Sequence, residues 1–254
     1  MTKDGRIWML SGNQLKILAL IAMTLDHIGK LLLPDCIILQ IIGRLSFPIF
    51  AYMIAEGCKY TRNRWKYLRN MLVVGLICQI GYFVAMKSLY MGVFITFSLA
   101  IMIIYISDYA LKDIKKYFIE KEQVITGSTV IIILMKVILL MTFMLSVIYA
   151  SEVLPKRLTR YFFCIDYGIW GVLMPVLIYY GRGKIGKLFM TLFSMLMLSL
   201  YLQEIQVIQW YSFLSIIPLA LYNGYRGKIK LKNIFYIYYP LHLVAIYGIY
   251  MLIR

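Results

Sequence analysis

Long apolar runs alternate with short polar breaks along nearly the whole chain. A membrane-crossing helix needs roughly 20 mostly apolar residues. About nine runs approach that length: 14–33, 36–57, 68–86, 89–107, 129–151, 163–181, 187–203, 206–223 and 234–253. The seventh and eighth are joined only by "QEIQ" at 203–206. The alternation of period two that a membrane barrel requires does not recur, so the pattern predicts helices. There is no internal repeat and no low-complexity stretch, so residues 1–254 read as a single all-α domain, a polytopic transmembrane helix bundle. The first run lacks a small-residue cleavage site after it and reads as a retained helix.

Composition supports the bilayer. Hydrophobic residues make up 62% of the chain, far above the roughly 45–50% of soluble domains, so a water-soluble fold has no interior large enough for them. The 22 tyrosines suit interfacial belts and packing with a polar tip. Cys36, Cys58, Cys78 and Cys164 have no metal-ligand spacing and read as small apolar fillers, so no metal is expected.

Charge gives an orientation. The 27 Lys and Arg outnumber the 11 Asp and Glu, yet they sit in short connections and not on a basic soluble face. Nucleic acid is therefore not an expected partner; the bilayer is. "CKYTRNRWKYLR" (58–69), "GRGKIGK" (181–187) and "GYRGKIKLK" (224–232) are densely basic, and the 108–128 connection carries Lys112, Lys115, Lys116 and Lys121. A cytoplasmic N-terminus places all of these inside with Lys3 and Arg6, and puts the C-terminus outside. "SEVLPKRLTRY" is basic and falls outside; it is an exception to the rule, as a re-entrant piece or a miscount.

Ionisable groups inside apolar runs are expensive and usually face a cavity or a partner. The first run holds Asp26, His27 and Lys30. Asp26 can pair with Lys30 at i+4, and His27 is a natural general base near neutral pH. Lys16 lies eleven positions before His27, about three turns, so both fall on one stripe about 16 Å apart. Arg44, in "IIGRLSFPIF", falls near the depth of His27, with Asp26 or an anionic ligand as its expected partner. Pro48, four residues on, predicts a kink at Arg44. Glu56 reads as an interfacial partner of Lys59 or Arg62. Asp166 either caps a helix or lines the outer mouth. His242, in the inner half of the last run beside Pro240, either bonds a freed carbonyl or contacts a cofactor.

"KxxxLxxMTxDHIGK", "IGRLSFPIFAYMIAEGxKYTRNR" and the closing "YPLHL" resemble the TraX family, membrane proteins named for acetylation of conjugative pilin. The resemblance runs essentially end to end. It implies a more distant likeness to transmembrane acyltransferases, which carry a basic residue, ten residues and then a histidine in their first helix; Lys16 and His27 fit. What the resemblance implies is an acyltransferase-like bundle in a bacterial cytoplasmic membrane, with acetyl-CoA as donor. His27, Asp26 and Arg44 would be the catalytic residues. Lys16, Lys59, Arg62, Arg64 and His242 would hold the donor, with Lys66 on the same basic rim. The acceptor would be an extracytoplasmic amine or hydroxyl. A proton-coupled transporter and a non-enzymatic assembly factor are the alternatives.

Overall fold

The computed structural model describes residues 9–119, 126–203, 207–227 and 232–253. Lys3, Arg6 and Lys121, which entered the charge argument, lie outside the described residues. So do residues 204–206 and 228–231. Six helices among the described residues are long and apolar enough to cross a membrane: Ile37–Tyr60, Arg64–Met86, Val93–Tyr117, Gly127–Arg157, Gly183–Leu202 and Ile234–Ile253. The chain is thus an all-α, multi-pass membrane protein. The other expected segments are helical too, but differ in kind. Gly12–Leu31 carries four ionisable side chains (Lys16, Asp26, His27 and Lys30), and Gly168–Tyr180 and Val207–Ala220 are short. The residues fall into two compact units.

The first unit comprises residues up to 59 and from 177 onward. Helix α1 (Gly12–Leu31) starts at a capping box, in which the Ser11 backbone N–H donates to Gln14 Oε1 and Ser11 Oγ accepts from the Gln14 backbone. Its buried positions Gly12, Leu15, Ala19, Ala22, Asp26 and Gly29 follow the 3–4 spacing of one helical stripe. A tight turn leads to α2 (Ile37–Gly43) and α3 (Ser46–Tyr60), which run back along α1. The break between them falls at Arg44 and Leu45. Pro48 has no N–H to bond the Arg44 carbonyl, so the kink expected there is present.

Helix α9 (Gly183–Leu202) packs on a 3-10 helix, Val207–Ser215, that continues into α10 (Ile216–Ala220). Ser215 Oγ meets Met195 Sδ at 3.5 Å, which sets the register of this antiparallel pair. A 3-10 helix has about three residues per turn, so Gln209, Ser212 and Ser215 form one straight, buried row. The chain after α10 clamps the start of α1: Leu10 bonds Leu221 and Asn223, and the Gly12 and Asn13 N–H groups donate to Tyr225 and Arg226. Helix α11 (Lys232–Ile253) then lies beside α1.

The second unit, 60–176, is built on three successive helices: α4 (Arg64–Met86), α5 (Val93–Ile114) and α6 (Gly127–Ile148). Helix α5 joins its neighbours by charge. Asp108 takes Arg64 of α4 at 2.6 Å and Asp113 takes Lys136 of α6 at 2.5 Å, while the same cations lie over Tyr105 and Tyr109. From α6 the helix continues through a π turn, Tyr149–Val153, and α7 (Leu154–Arg157). At about 1.5 Å per residue the run 127–157 exceeds a hydrocarbon core of about 30 Å. The run is therefore longer than an apolar layer requires, and Lys156 and Arg157 stand at its end.

Two expected helices begin later than the apolar pattern suggests. Strands β1 (Tyr90–Met91) and β2 (Cys164–Ile165) pair in parallel ahead of α5 and α8 (Gly168–Tyr180). Next to them Asp166 accepts from Tyr90 Oη at 2.5 Å, and its carbonyl accepts from Thr96 at 2.9 Å. Tyr167 and Gly168 both take positive φ, and a side chain at Gly171 would overlap Tyr167 Cβ.

Candidate functional site

The polar residues of α1 separate by face. Asp26 and His27 are neighbours in sequence but point about 100° apart around the helix. Asp26 turns to α2 and His27 to α11.

On the α2 side, Arg44 is 2% exposed and Asp26 6%. Arg44 Nη2 donates to Asp26 Oδ1, Nη1 reaches Gln209 Oε1 at 3.4 Å and Nε reaches the Gln40 carbonyl at 3.4 Å. Lys30 Nζ holds the other Asp26 oxygen at 2.6 Å from a side chain 43% exposed. Both partners expected for Asp26 are therefore present at once. The geometry depends on glycine: a side chain at Gly43 would overlap Asp26, and one at Gly29 would press on Leu39. Gln209 was not expected from the sequence; it is 0% exposed, and its Nε2 has no hydrogen-bond partner among the described residues.

On the α11 side, Lys16 Nζ lies over the Phe235 ring at 5.3 Å, Thr24 meets Tyr238 Oη at 2.8 Å, and the His27 and His242 rings stand edge to face at 5.1 Å. Positions 16, 24 and 27 thus match 235, 238 and 242 in ascending order, so α1 and α11 run parallel. Thr24 gives its proton to the Leu20 carbonyl, so Tyr238 donates to Thr24. His242 is the eleventh residue of α11, and its ring lies level with that of His27.

Both histidines are set the same way. His27 Nδ1 is 2.8 Å from the Met23 carbonyl and His242 Nδ1 is 3.1 Å from the Tyr238 carbonyl. A carbonyl only accepts, so each Nδ1 carries a proton and each neutral ring keeps its lone pair on Nε2. Met23, and not Asp26, orients His27. His242 is 6% exposed, and its Nε2 has no hydrogen-bond partner among the described residues.

The remaining expected residues are dispersed. Lys59 and Arg62 are exposed. Arg64 belongs to the second unit and is engaged by Asp108 and Tyr105. Glu56 does not pair with Lys59 or Arg62: it is buried, holds Lys187 of α9 and accepts from Tyr222 Oη at 3.4 Å. No periodic or local signal links Glu56 to a lysine 131 positions on. Among the described residues no group of three or more His, Cys, Asp and Glu is placed to hold a metal ion.

Residues 11–250 match the family model described as "TraX protein". The chain belongs to the TraX family. A curated relative, the "Probable fimbrial assembly protein FimC, serogroup H1" of Dichelobacter nodosus, is 27% identical over 93% of this chain and 94% of its own length. An uncharacterized protein of Rickettsia prowazekii (strain Madrid E) is 39% identical over 26% of this chain and 25% of its own. No solved structure matches. The quoted block that carries His27 lies in the matched TraX segment, as do Arg44 and His242.

Proposed function

We propose that this TraX-family chain is an integral-membrane acyltransferase that moves an acetyl group from cytoplasmic acetyl-CoA to an amine or hydroxyl arriving from the opposite face. The observation that carries this reading is His27: an imidazole inside an apolar helix whose Nδ1 is held by the Met23 carbonyl, which leaves Nε2 as the nitrogen for base chemistry. His27 Nε2 takes the proton of the acceptor as its nitrogen or oxygen attacks the thioester carbonyl. Asp26, Arg44 and Lys30 together carry one net positive charge on the adjacent face of α1, whose field would favour the negative oxygen of the tetrahedral intermediate. The intermediate collapses with loss of the thiolate of CoA.

Lys16 lies on the stripe of His27, about 16 Å along the axis toward the N-terminal end, where it would meet the anionic end of the donor. Lys59, in the same unit as Lys16, is an exposed cation available for the same phosphates. The acceptor class follows from relatives. The resemblance noted in the sequence implies pilin acetylation, and one relative is described as a probable fimbrial assembly protein, so a surface-appendage subunit is the favoured acceptor. The site is that of a bacterial cytoplasmic membrane, with the N-terminus inside.

The test uses vesicles from cells expressing equal amounts of wild type or His27→Ala, given acetyl-labelled acetyl-CoA. Wild type should release CoA and label one fraction of protein, lipid or glycan, and His27→Ala should lose at least about 100-fold in turnover. Equal, background-level release from both would remove the enzyme reading and leave a transporter or an assembly factor.

A further inference from the structure

We propose that His242 is the second acid–base group of this site and passes the proton taken by His27 to the departing thiolate. The inference rests on the acyltransferase reading above and replaces a donor-contact role for His242.

Four observations support it. The His27 and His242 rings are in edge contact, with centroids 5.1 Å apart. Each Nδ1 is committed to the carbonyl four residues before it, so each ring has only Nε2 left for chemistry. His242 is buried, yet its Nε2 has no hydrogen-bond partner among the described residues, and a buried imidazole nitrogen left bare is costly unless something arrives to use it. Finally, the ring is held on three sides. Tyr238 stacks on it at 5.4 Å and is tied to α1 through Thr24, Tyr239 stands edge-on at 5.4 Å, and His27 supplies the remaining contact. A residue kept only to fill space does not need this orientation, because a leucine would fill the volume without a bare nitrogen.

Acyl transfer from a thioester needs one proton removed and one supplied. The C–N or C–O bond forms as the acceptor proton moves to His27 Nε2. His27, now an imidazolium, gives that proton to His242 Nε2 through one bridging water, because the two Nε2 atoms are not themselves in hydrogen-bond contact. His242 delivers it to sulfur as the C–S bond breaks, so free thiol leaves and both rings return neutral. The proton count is closed and no further reactant is required. A single histidine would have to reach both the acceptor nitrogen and the sulfur in turn; two rings divide the distance.

The test is a double-substitution cycle with the full chain in vesicles from its source cell, using acetyl-CoA and reading thiol release. Asparagine keeps a donor near the Nδ1 position and removes Nε2, so His27→Asn, His242→Asn and the double variant are compared at equal membrane levels and equal heat stability. His242→Asn should lower kcat by about 100-fold with KM for acetyl-CoA changed less than about threefold. The double variant should be no slower than the slower single one, because residues acting in one relay are not additive. The relay is overturned if His242→Asn keeps more than a third of wild-type kcat, if the loss lies in KM, or if the two losses multiply. A wild type without turnover, or an active His27→Asn, would instead overturn the acyltransferase reading and the relay with it.

Discussion

Arg44 and Asp26 are the most deeply buried opposite charges around the site, and their burial decides how each should respond to substitution. A buried pair gains little net stability, but removing one member leaves an uncompensated charge that costs about 3–5 kcal/mol. Arg44→Met and Asp26→Leu should each sharply lower the temperature at which the detergent-solubilised chain loses monodispersity. The double variant should recover most of the loss. Lys30→Ala should cost at most about 1 kcal/mol, because that side chain is 43% exposed and Arg44 still balances Asp26. Equal losses for Lys30→Ala and Arg44→Met, measured as recovery after heating, would show that the pair is not buried as described. The Asp26–Arg44 contact was legible in the sequence, since a tight turn between two helices puts residues at matching distances from it side by side. The Glu56–Lys187 contact was not, because the elements that bring it about are far apart in the chain. The His27–His242 contact failed for a different reason. His27 lies about 9 Å from one face and His242 about 12 Å from the other, and depths counted from opposite faces fix no mutual distance.

At the level of elements, the contact of α1 with α2 depends on two missing side chains. Gly43 faces Asp26 where a methyl group would overlap it, and Gly29 faces Leu39 with little more room. Overpacking of this kind costs about 1–3 kcal/mol. Gly43→Ala should therefore lower heat stability and also turnover, because the helix it displaces carries Arg44. Gly81→Ala, at a position where an added methyl meets nothing within 4 Å, serves as the control and should leave both unchanged. Thiol release and recovery after heating measure the two effects, and an unaffected Gly43→Ala would refute the close approach. The break between α2 and α3 was predictable from Pro48, whose missing N–H acts on the residue four before it. The strands β1 and β2 were not, since two-residue strands leave no periodic trace and their residues lie inside apolar runs.

For the whole molecule, the directions of the helices decide how often the chain crosses the membrane. Helices α1 and α11 run parallel, as the ordered contacts 16–235, 24–238 and 27–242 require. The chain between them must then cross an odd number of times, so the two short segments, 168–180 and 207–220, either both cross or both do not. Contacts inside the first unit favour crossing. Tyr222 lies at the start of α1 and joins Glu56 and Lys187 there, whereas Gln209 lies at Arg44, beside the later half of α1. Helix α9 and the 207–220 segment therefore run the height of the bundle in opposite directions. The 3-10 conformation makes this feasible, because a rise of about 2.0 Å per residue lets nine residues cover what twelve would in an α-helix. Both segments crossing puts Arg182 on the side of the N-terminus, in agreement with the basic "GRGKIGK" loop. In a background whose native cysteines have been replaced, a cysteine at 182 should react with a membrane-impermeant maleimide only in inside-out vesicles. One at Asp35 should react only in intact spheroplasts. Labelling of both from the same side would mean that neither short segment crosses. The basic loops 58–69 and 181–187 would then lie on opposite faces, while Lys16 and Lys59, placed by the helices before them, would stay on the side of the N-terminus.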